Sequence, residues 1–235
     1  MTKGKEAIIL CSGGLDSVVT AFYVKKMLDY DKLTILFFDY GQKPLKEERK
    51  CAQRCAEEIN AEFQEINLKW LGEISHSLLN KGGKIERMTR KDLKDSSKES
   101  AKFYVPCRNL AFLTNALALA ESKYMKSKKT SDIFVGFKCE GKESYPDTTK
   151  EFVSEINKIA SISCLSKSEV RAPLIEKDKE DIVLLGKELG VKFENTFSCY
   201  NPQKGKHCGY CLACKLRQEG FYWANEEDPT DYLNK

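Results

Sequence analysis

The runs Ala7–Cys11 ("AIILC"), Leu33–Phe38 ("LTILFF") and Asp132–Phe137 ("DIFVGF") are apolar with little alternation. A strand with one face in water alternates apolar and polar residues, whereas a run apolar at nearly every position is buried on both faces. Glu62–Ile66 reads as a further strand. Between these runs lie helical patterns over Ser17–Leu28, Glu47–Ile59, Asn109–Tyr124, Asp147–Ile162 and Asp178–Leu189. The third carries Leu110, Leu113, Leu117, Ala120 and Tyr124 at three- and four-residue spacing, and the last is closed by Gly190 in the position of a helix cap. Parallel strands need crossover connections, and helices supply them. The alternation therefore predicts an α/β fold with a doubly wound, mostly parallel sheet covered on both faces.

With 235 residues, 41% of them hydrophobic, one core is expected. The 39 basic and 35 acidic residues leave a net charge of +4, too even for a dedicated nucleic-acid binder, so no direct nucleic-acid partner is expected. The Ala7–Cys11 run is too short for a signal or membrane segment, so the expectation is a soluble, cytoplasmic protein with no membrane partner. The charged stretch Lys81–Lys102 has no sustained period and reads either as a solvated loop or exposed helix, or as a lid over an active site. Lys123, Lys126, Lys128 and Lys129 suit a helix C-terminus, where cations meet the dipole.

The most informative stretch follows the first strand: Cys11-Ser12-Gly13-Gly14-Leu15-Asp16-Ser17. Glycines between a strand and a helix let backbone N–H groups approach phosphate oxygens, and the helix N-terminus adds partial positive charge. The lysine of a Walker loop and the third glycine of a dinucleotide fingerprint are absent. Asp16 has two readings. As a helix cap it would accept free N–H groups; beside pyrophosphate it is tolerable only with Mg2+ between the two anions.

Of ten cysteines, Cys199, Cys208, Cys211 and Cys214 form a C-x8-C-x2-C-x2-C array. Such thiolates can close a tetrahedral Zn2+ shell with no open position, so one structural Zn2+ per chain is expected. An iron–sulfur cluster and redox thiols are the alternatives, and His207 is a spare ligand. Cys11, Cys51, Cys55, Cys139 and Cys164 read as ordinary thiols.

The string Ser-Gly-Gly-x-Asp-Ser resembles the pyrophosphate loop of the ATP pyrophosphatase superfamily, which cleaves ATP between its α and β phosphates and transfers AMP to an oxygen. With "FFDYGQ" (Phe37–Gln42), "YVPCRN" (Tyr104–Asn109), "YPDTTKEF" (Tyr145–Phe152), "APLIEKDK" (Ala172–Lys179) and the cysteine cluster ending "CKLR", the chain resembles the 7-cyano-7-deazaguanine synthase family from about Ile8 to Phe221. The resemblance implies an adenine nucleotide alpha hydrolase-like adenylating domain over 1–195 and a zinc-binding segment over 196–235 packed on it. It also implies conversion of 7-carboxy-7-deazaguanine, ammonia and ATP to the nitrile through adenylated and amide intermediates.

By that resemblance, Cys11 to Ser17 hold pyrophosphate and Mg2+, with Asp16, Arg108 and Lys179 as the catalytic set. Arg108, Asp147 and Tyr145 would face the deazaguanine. A carboxylate suits the two adjacent N–H donors of such a ring, although Asp147 equally fits a helix cap, Tyr145 the core, and Arg108 a surface ion pair. The expected partners are the small molecules, with a homodimer as the assembly. The alternative reading keeps adenylation but passes the acyl group to a protein or other amine, as in an antiviral defence system. The chain departs from the family pattern at Cys107, often glycine or alanine, at Gln42-Lys43-Pro44, often Gln-x-His, and at Thr149-Lys150, where an arginine is common.

Overall fold

In the computed structural model, residues 4, 6–138 and 145–233 are described. Cys139 falls outside them. Five strands, β1 (Glu6–Leu10), β2 (Lys32–Asp39), β3 (Glu62–Asn67), β4 (Ser131–Phe134) and β5 (Val170–Arg171), form one sheet in the order β3-β2-β1-β4-β5. Every pairing is parallel. Ala7, Ile8 and Ile9 of central β1 have no exposed surface, as a run apolar at each position requires.

Alternate residues of each strand feed opposite cores. One joins Ala7 and Ile9 to helices α1 (Leu15–Met27), α2 (Leu45–Ile59) and α7 (Lys179–Glu188). The other joins Ile8 to α5 (Arg108–Ser127) and α6 (Lys150–Ser163) and also takes in the four clustered cysteines. The chain thus leaves β1 towards one face and enters β4 from the other. Between β1 and β4 the winding reverses, and at such a switch point a crevice opens at the C-terminal ends of the strands.

Most element ends obey local chemistry. Helix α7 closes as the sequence predicts: Gly190 takes φ +71°, its N–H donates to Lys187 O at 3.0 Å, and Val191 N–H donates to Gly186 O at 2.8 Å. This double bond to the last turn is the Schellman arrangement. At the end of α5, Lys126 lies in the last turn and Lys128 takes φ 60°. Lys123 instead turns inward, its Nζ donating to Thr34 Oγ1 at 2.8 Å.

The structure corrects several sequence-based expectations. The helix expected from Asp147 begins at Lys150 and is capped by Thr149, whose side chain accepts from Phe152 N–H at 3.1 Å. Asp147 occupies a separate single turn, Pro146–Thr148, so it does not cap the helix that follows it. Strand β5 is only two residues long, too short to leave a period in the sequence. Helices α3 (Lys69–Ile74), α4 (Ser97–Ala101) and α8 (Leu212–Trp223) also went unpredicted.

The Lys81–Lys102 stretch is neither a free loop nor a bare helix. Ile85 and Met88 are buried, Met88 N–H donates to Tyr210 O at 3.0 Å, and the Arg90 guanidinium lies 3.9 Å from the Tyr222 ring centroid and pairs with Glu219 at 2.9 Å. These contacts fasten it to the cysteine-bearing C-terminal segment.

Candidate functional site

Cys11, the first residue after β1, is buried, and the chain then turns through Ser12–Gly14 into α1. Gly13 takes φ +78°, and a Cβ there would lie 2.5 Å from the Glu48 carbonyl oxygen, so only glycine fits the turn. Its own carbonyl accepts Phe197 N–H at 2.8 Å. Ser12 Oγ and Ser17 Oγ stand 3.4 Å apart, and Ser17 Oγ donates to Gly14 O at 3.0 Å. The Cys11 thiol reaches Ser17 Oγ at 3.6 Å. Leu15 points its side chain into the core at 2% exposure, so only its backbone is available to a ligand.

Gly14 is the N-cap of α1, and Asp16 stands in the first helical turn. The capping reading of Asp16 is therefore replaced by another partner: Lys179 Nζ donates to both carboxylate oxygens, at 2.7 and 2.8 Å. Lys179, the first residue of α7, reaches across because Gly220 of α8 has no side chain to obstruct its stem; a Cβ there would meet Lys179 Cγ at 2.2 Å. Lys138, just beyond β4, feels both groups. Burial and the neighbouring Lys179 ammonium push it down to about 7. Two lysines around one carboxylate at the head of a helix form a cationic frame suited to polyphosphate.

The loop opens onto a cavity of about 280 Å³ lined by Cys11, Ser12, Gly14, Asp16 and Ser17 on one side and by Tyr40, Glu48, Arg108, Phe112 and Tyr200 on the other. Arg108 begins α5, its Nη1 lies 3.5 Å from Tyr40 Oη, and its guanidinium sits 5.7 Å from the Tyr40 ring centroid. Burial pushes Tyr40 up to about 12, so its phenol stays protonated at neutral pH. Preceding Arg108, Cys107 is exposed with φ 54°. This left-handed position favours glycine over the cysteine that stands there.

Asp147 is buried against the start of α5, where its Oδ2 accepts Asn109 N–H and its backbone carbonyl accepts Asn109 Nδ2, both at 3.3 Å. It caps a helix that belongs to another part of the chain, next to Arg108. Tyr145 stands one layer away: its hydroxyl donates to Ser100 O at 2.8 Å and its ring stacks on Tyr104 at 5.6 Å. The cavity therefore gathers the loop and Arg108 directly, Lys179 through Asp16, and Asp147 through Asn109. Gln42, read in the sequence only as part of a family motif, also lines the cavity, whereas Glu48 was missed, because on a polar amphipathic helix nothing distinguishes a cavity-facing carboxyl from a solvated one.

The sulfur atoms of Cys199, Cys208, Cys211 and Cys214 lie within 4.8 Å of one another, and all four residues are buried. Cys199–Cys211 and Cys208–Cys214 are each 3.9 Å apart. Four sulfurs about 2.3 Å from a tetrahedral zinc would stand about 3.8 Å apart, so the donor set fits the metal. Backbone N–H groups of Asn201 and Cys208 point at Cys199 Sγ, and that of Cys211 at Cys208 Sγ, each at 3.3 Å, as thiolates require. His207 is not a fifth candidate: its Nε2 accepts Ser198 N–H at 3.0 Å. Arg217, 1% exposed, ties this segment together through Asp228 at 3.2 Å, Thr196 Oγ1 at 2.6 Å and Phe193 O at 3.1 Å. The segment also furnishes cavity wall, because Tyr200 follows Cys199 directly and packs on Phe103 at 4.7 Å.

Residues 6–225 match the family model described as queuosine biosynthesis protein QueC. The chain is 38% identical to the 7-cyano-7-deazaguanine synthase of Methanosphaera stadtmanae, over 97% of this chain and 98% of that one. It is 35% identical to the synthase of the same name from Methanothermobacter thermautotrophicus, over 96% and 98%. A solved NMN synthetase from Francisella tularensis is a distant likeness, with 15% identity and a TM-score of 0.41 over 95% of this chain and 78% of that one. Among the described residues no helix is long and apolar enough to cross a membrane. With a glycine loop at the switch point of a parallel sheet, a four-cysteine centre and near full-length similarity to these synthases, the chain belongs to the QueC family of ATP-dependent enzymes.

Proposed function

We propose that the chain converts 7-carboxy-7-deazaguanine, ammonia and ATP to 7-cyano-7-deazaguanine. The observation that carries the reading is a phosphate-type loop and Arg108 facing one cavity, in a chain whose relatives bear the synthase name. The substrate carboxylate attacks the α-phosphorus, pyrophosphate leaves, and ammonia displaces AMP to give the amide. A second adenylation, on the amide oxygen, lets AMP depart with the oxygen and leaves the nitrile.

In this scheme the backbone N–H groups from Gly13 to Leu15 and the hydroxyls of Ser12 and Ser17 hold the pyrophosphate. Lys179 moves from Asp16 to the arriving phosphates, and Arg108 neutralises charge on the carboxylate and the α-phosphate. Asp16 would supply a hard oxygen ligand to Mg2+, whose charge would offset that of the pyrophosphate. The four cysteines would hold one Zn2+, which would fasten the C-terminal segment that carries them to the adenylating part and so fix Tyr200. Asp147 would read the ring's adjacent donors from beside Arg108.

Incubation with all three substrates should yield the nitrile by mass spectrometry, with AMP and pyrophosphate as the only nucleotide products. ADP and phosphate as the stoichiometric pair would refute the loop assignment. Asp147→Asn should fold normally, since an amide oxygen can still accept Asn109 N–H. It should nonetheless weaken ring binding by roughly 1–3 kcal/mol, because an amide mismatches one of two donors. Calorimetry that finds unchanged substrate affinity would leave Asp147 as the cap of α5 alone.

A further inference from the structure

A carboxyl group that the scheme above does not use stands inside the adenylation cavity. Glu48, in the first turn of α2, lines it together with Ser12, Asp16 and Arg108. Its backbone carbonyl packs closely against the loop at Gly13, and its side chain is oriented by one neighbour. Gln42 Nε2 donates to Glu48 Oε2 at 3.0 Å. Gln42 is itself immobilised, donating to Phe38 O at 3.0 Å and accepting Tyr40 N–H at 2.9 Å. No hydrogen bond reaches Glu48 Oε1 among the described residues. A carboxyl kept for structure is normally saturated with donors or ion-paired; this one has a single amide and a face on the cavity.

Its electrostatics agree with the geometry. Burial pushes Glu48 up to about 7, against the Gln42 hydrogen bond and the Arg108 guanidinium, with Glu47 reinforcing the rise. Its charge also acts, in the raising direction, on the nearby Cys11 and Cys51 thiols and the Tyr40 phenol. A base balanced near neutrality can both take up a proton and release it within a turnover. The proposed reaction needs one, because ammonia is mostly ammonium at neutral pH and ammonium has no lone pair to attack with.

We propose that Glu48 is the catalytic base that binds the incoming ammonium through Oε1 and removes a proton from it. The assignment rests on the synthase reading. The carboxylate takes one proton and becomes a carboxylic acid, and the freed lone pair forms the C–N bond to the acyl carbon. The C–O bond to AMP then breaks, AMP leaves with the electron pair, and the surplus proton on nitrogen passes to solvent. Nothing is oxidised or reduced. Gln42 is the positioning residue that aims the group.

The test compares wild type with Glu48→Gln, which preserves size and can still accept the Gln42 hydrogen bond. ATP–pyrophosphate exchange driven by 7-carboxy-7-deazaguanine reports folding and adenylation, and it should stay within a few-fold of wild type. Amide formation from ammonia should fall about 10²–10⁴-fold, the usual worth of a general base. Hydroxylamine, which is largely unprotonated at neutral pH, should recover most of the loss. Ammonia transfer retained in the variant, equal loss with both nucleophiles, or loss of the exchange itself would each overturn the role of Glu48. A wild-type enzyme that fails the exchange would instead overturn the synthase reading and this assignment with it.

Discussion

Replacing Cys211 with serine, or withdrawing the metal with a strong chelator, should cost most of the stability of this protein. Structural zinc in a four-thiolate shell contributes roughly 10–16 kcal/mol of binding free energy to the folded state. A domain has only about 5–15 kcal/mol in total. The loss should not stay local, because the four cysteines share one core with Ile8 of the central strand and Leu113 of α5. Phe197 N–H also holds the Gly13 carbonyl, so the Ser12–Ser17 loop should lose a support when the segment loosens. The expected result is about one zinc per chain by elemental analysis, and a melting transition that drops steeply or broadens when the metal is removed. An unchanged melt after chelation, or iron with a visible absorption band, would rule out structural zinc.

Asp16→Asn should give the opposite pattern, a stable protein with little activity. Its carboxylate makes no cap, so the helix start does not depend on it. Losing the charge in the pair with Lys179 weakens a partly exposed interaction, at a cost of roughly 1 kcal/mol, and asparagine can still accept from the ammonium. Adenylation is a different matter. A neutral amide is a poor ligand for a hard divalent cation, and departing pyrophosphate then lacks part of its charge neutralisation. Losses of about 10²–10³ in rate accompany the removal of one such stabilising group. Melting temperature and pyrophosphate release measured on the same preparation separate the two effects. Near-normal pyrophosphate release would return Asp16 to a purely structural partnership with Lys179.

The two variants probe different layers of the same design. In the first, the expected loss of folding energy arises at a four-cysteine cluster far along the chain from the loop. In the second, the expected loss is in chemistry and hardly in folding. Tyr200 and Phe197 connect the layers, since both lie beside Cys199 in sequence and against the cavity or the loop in space.

Sequence alone determined the features set by local or periodic chemistry. Unbroken apolar runs required strands buried on both faces and hence the parallel sheet. Ser12 to Ser17 marked a tight glycine turn between strand and helix, because glycine at Gly13 is a steric demand of the turn. Cysteine spacing marked a four-sulfur cluster fit to hold a metal, and Gly190 marked the end of α7. Tertiary structure alone decided which distant groups meet. Asp16 pairs with Lys179 across 163 positions of chain, and Asp147 caps the start of α5 by accepting the N–H of Asn109, 38 positions earlier in the sequence. Strand β5 and helix α8 were illegible because the first has two residues and the second lies where cysteines replace the apolar period. Glu48 shows the limit most clearly. A carboxylate on a polar helix reads as solvated in any linear pattern, and only the closing of α2 over Gly13, with α5 opposite, removes its water and turns it towards a cavity.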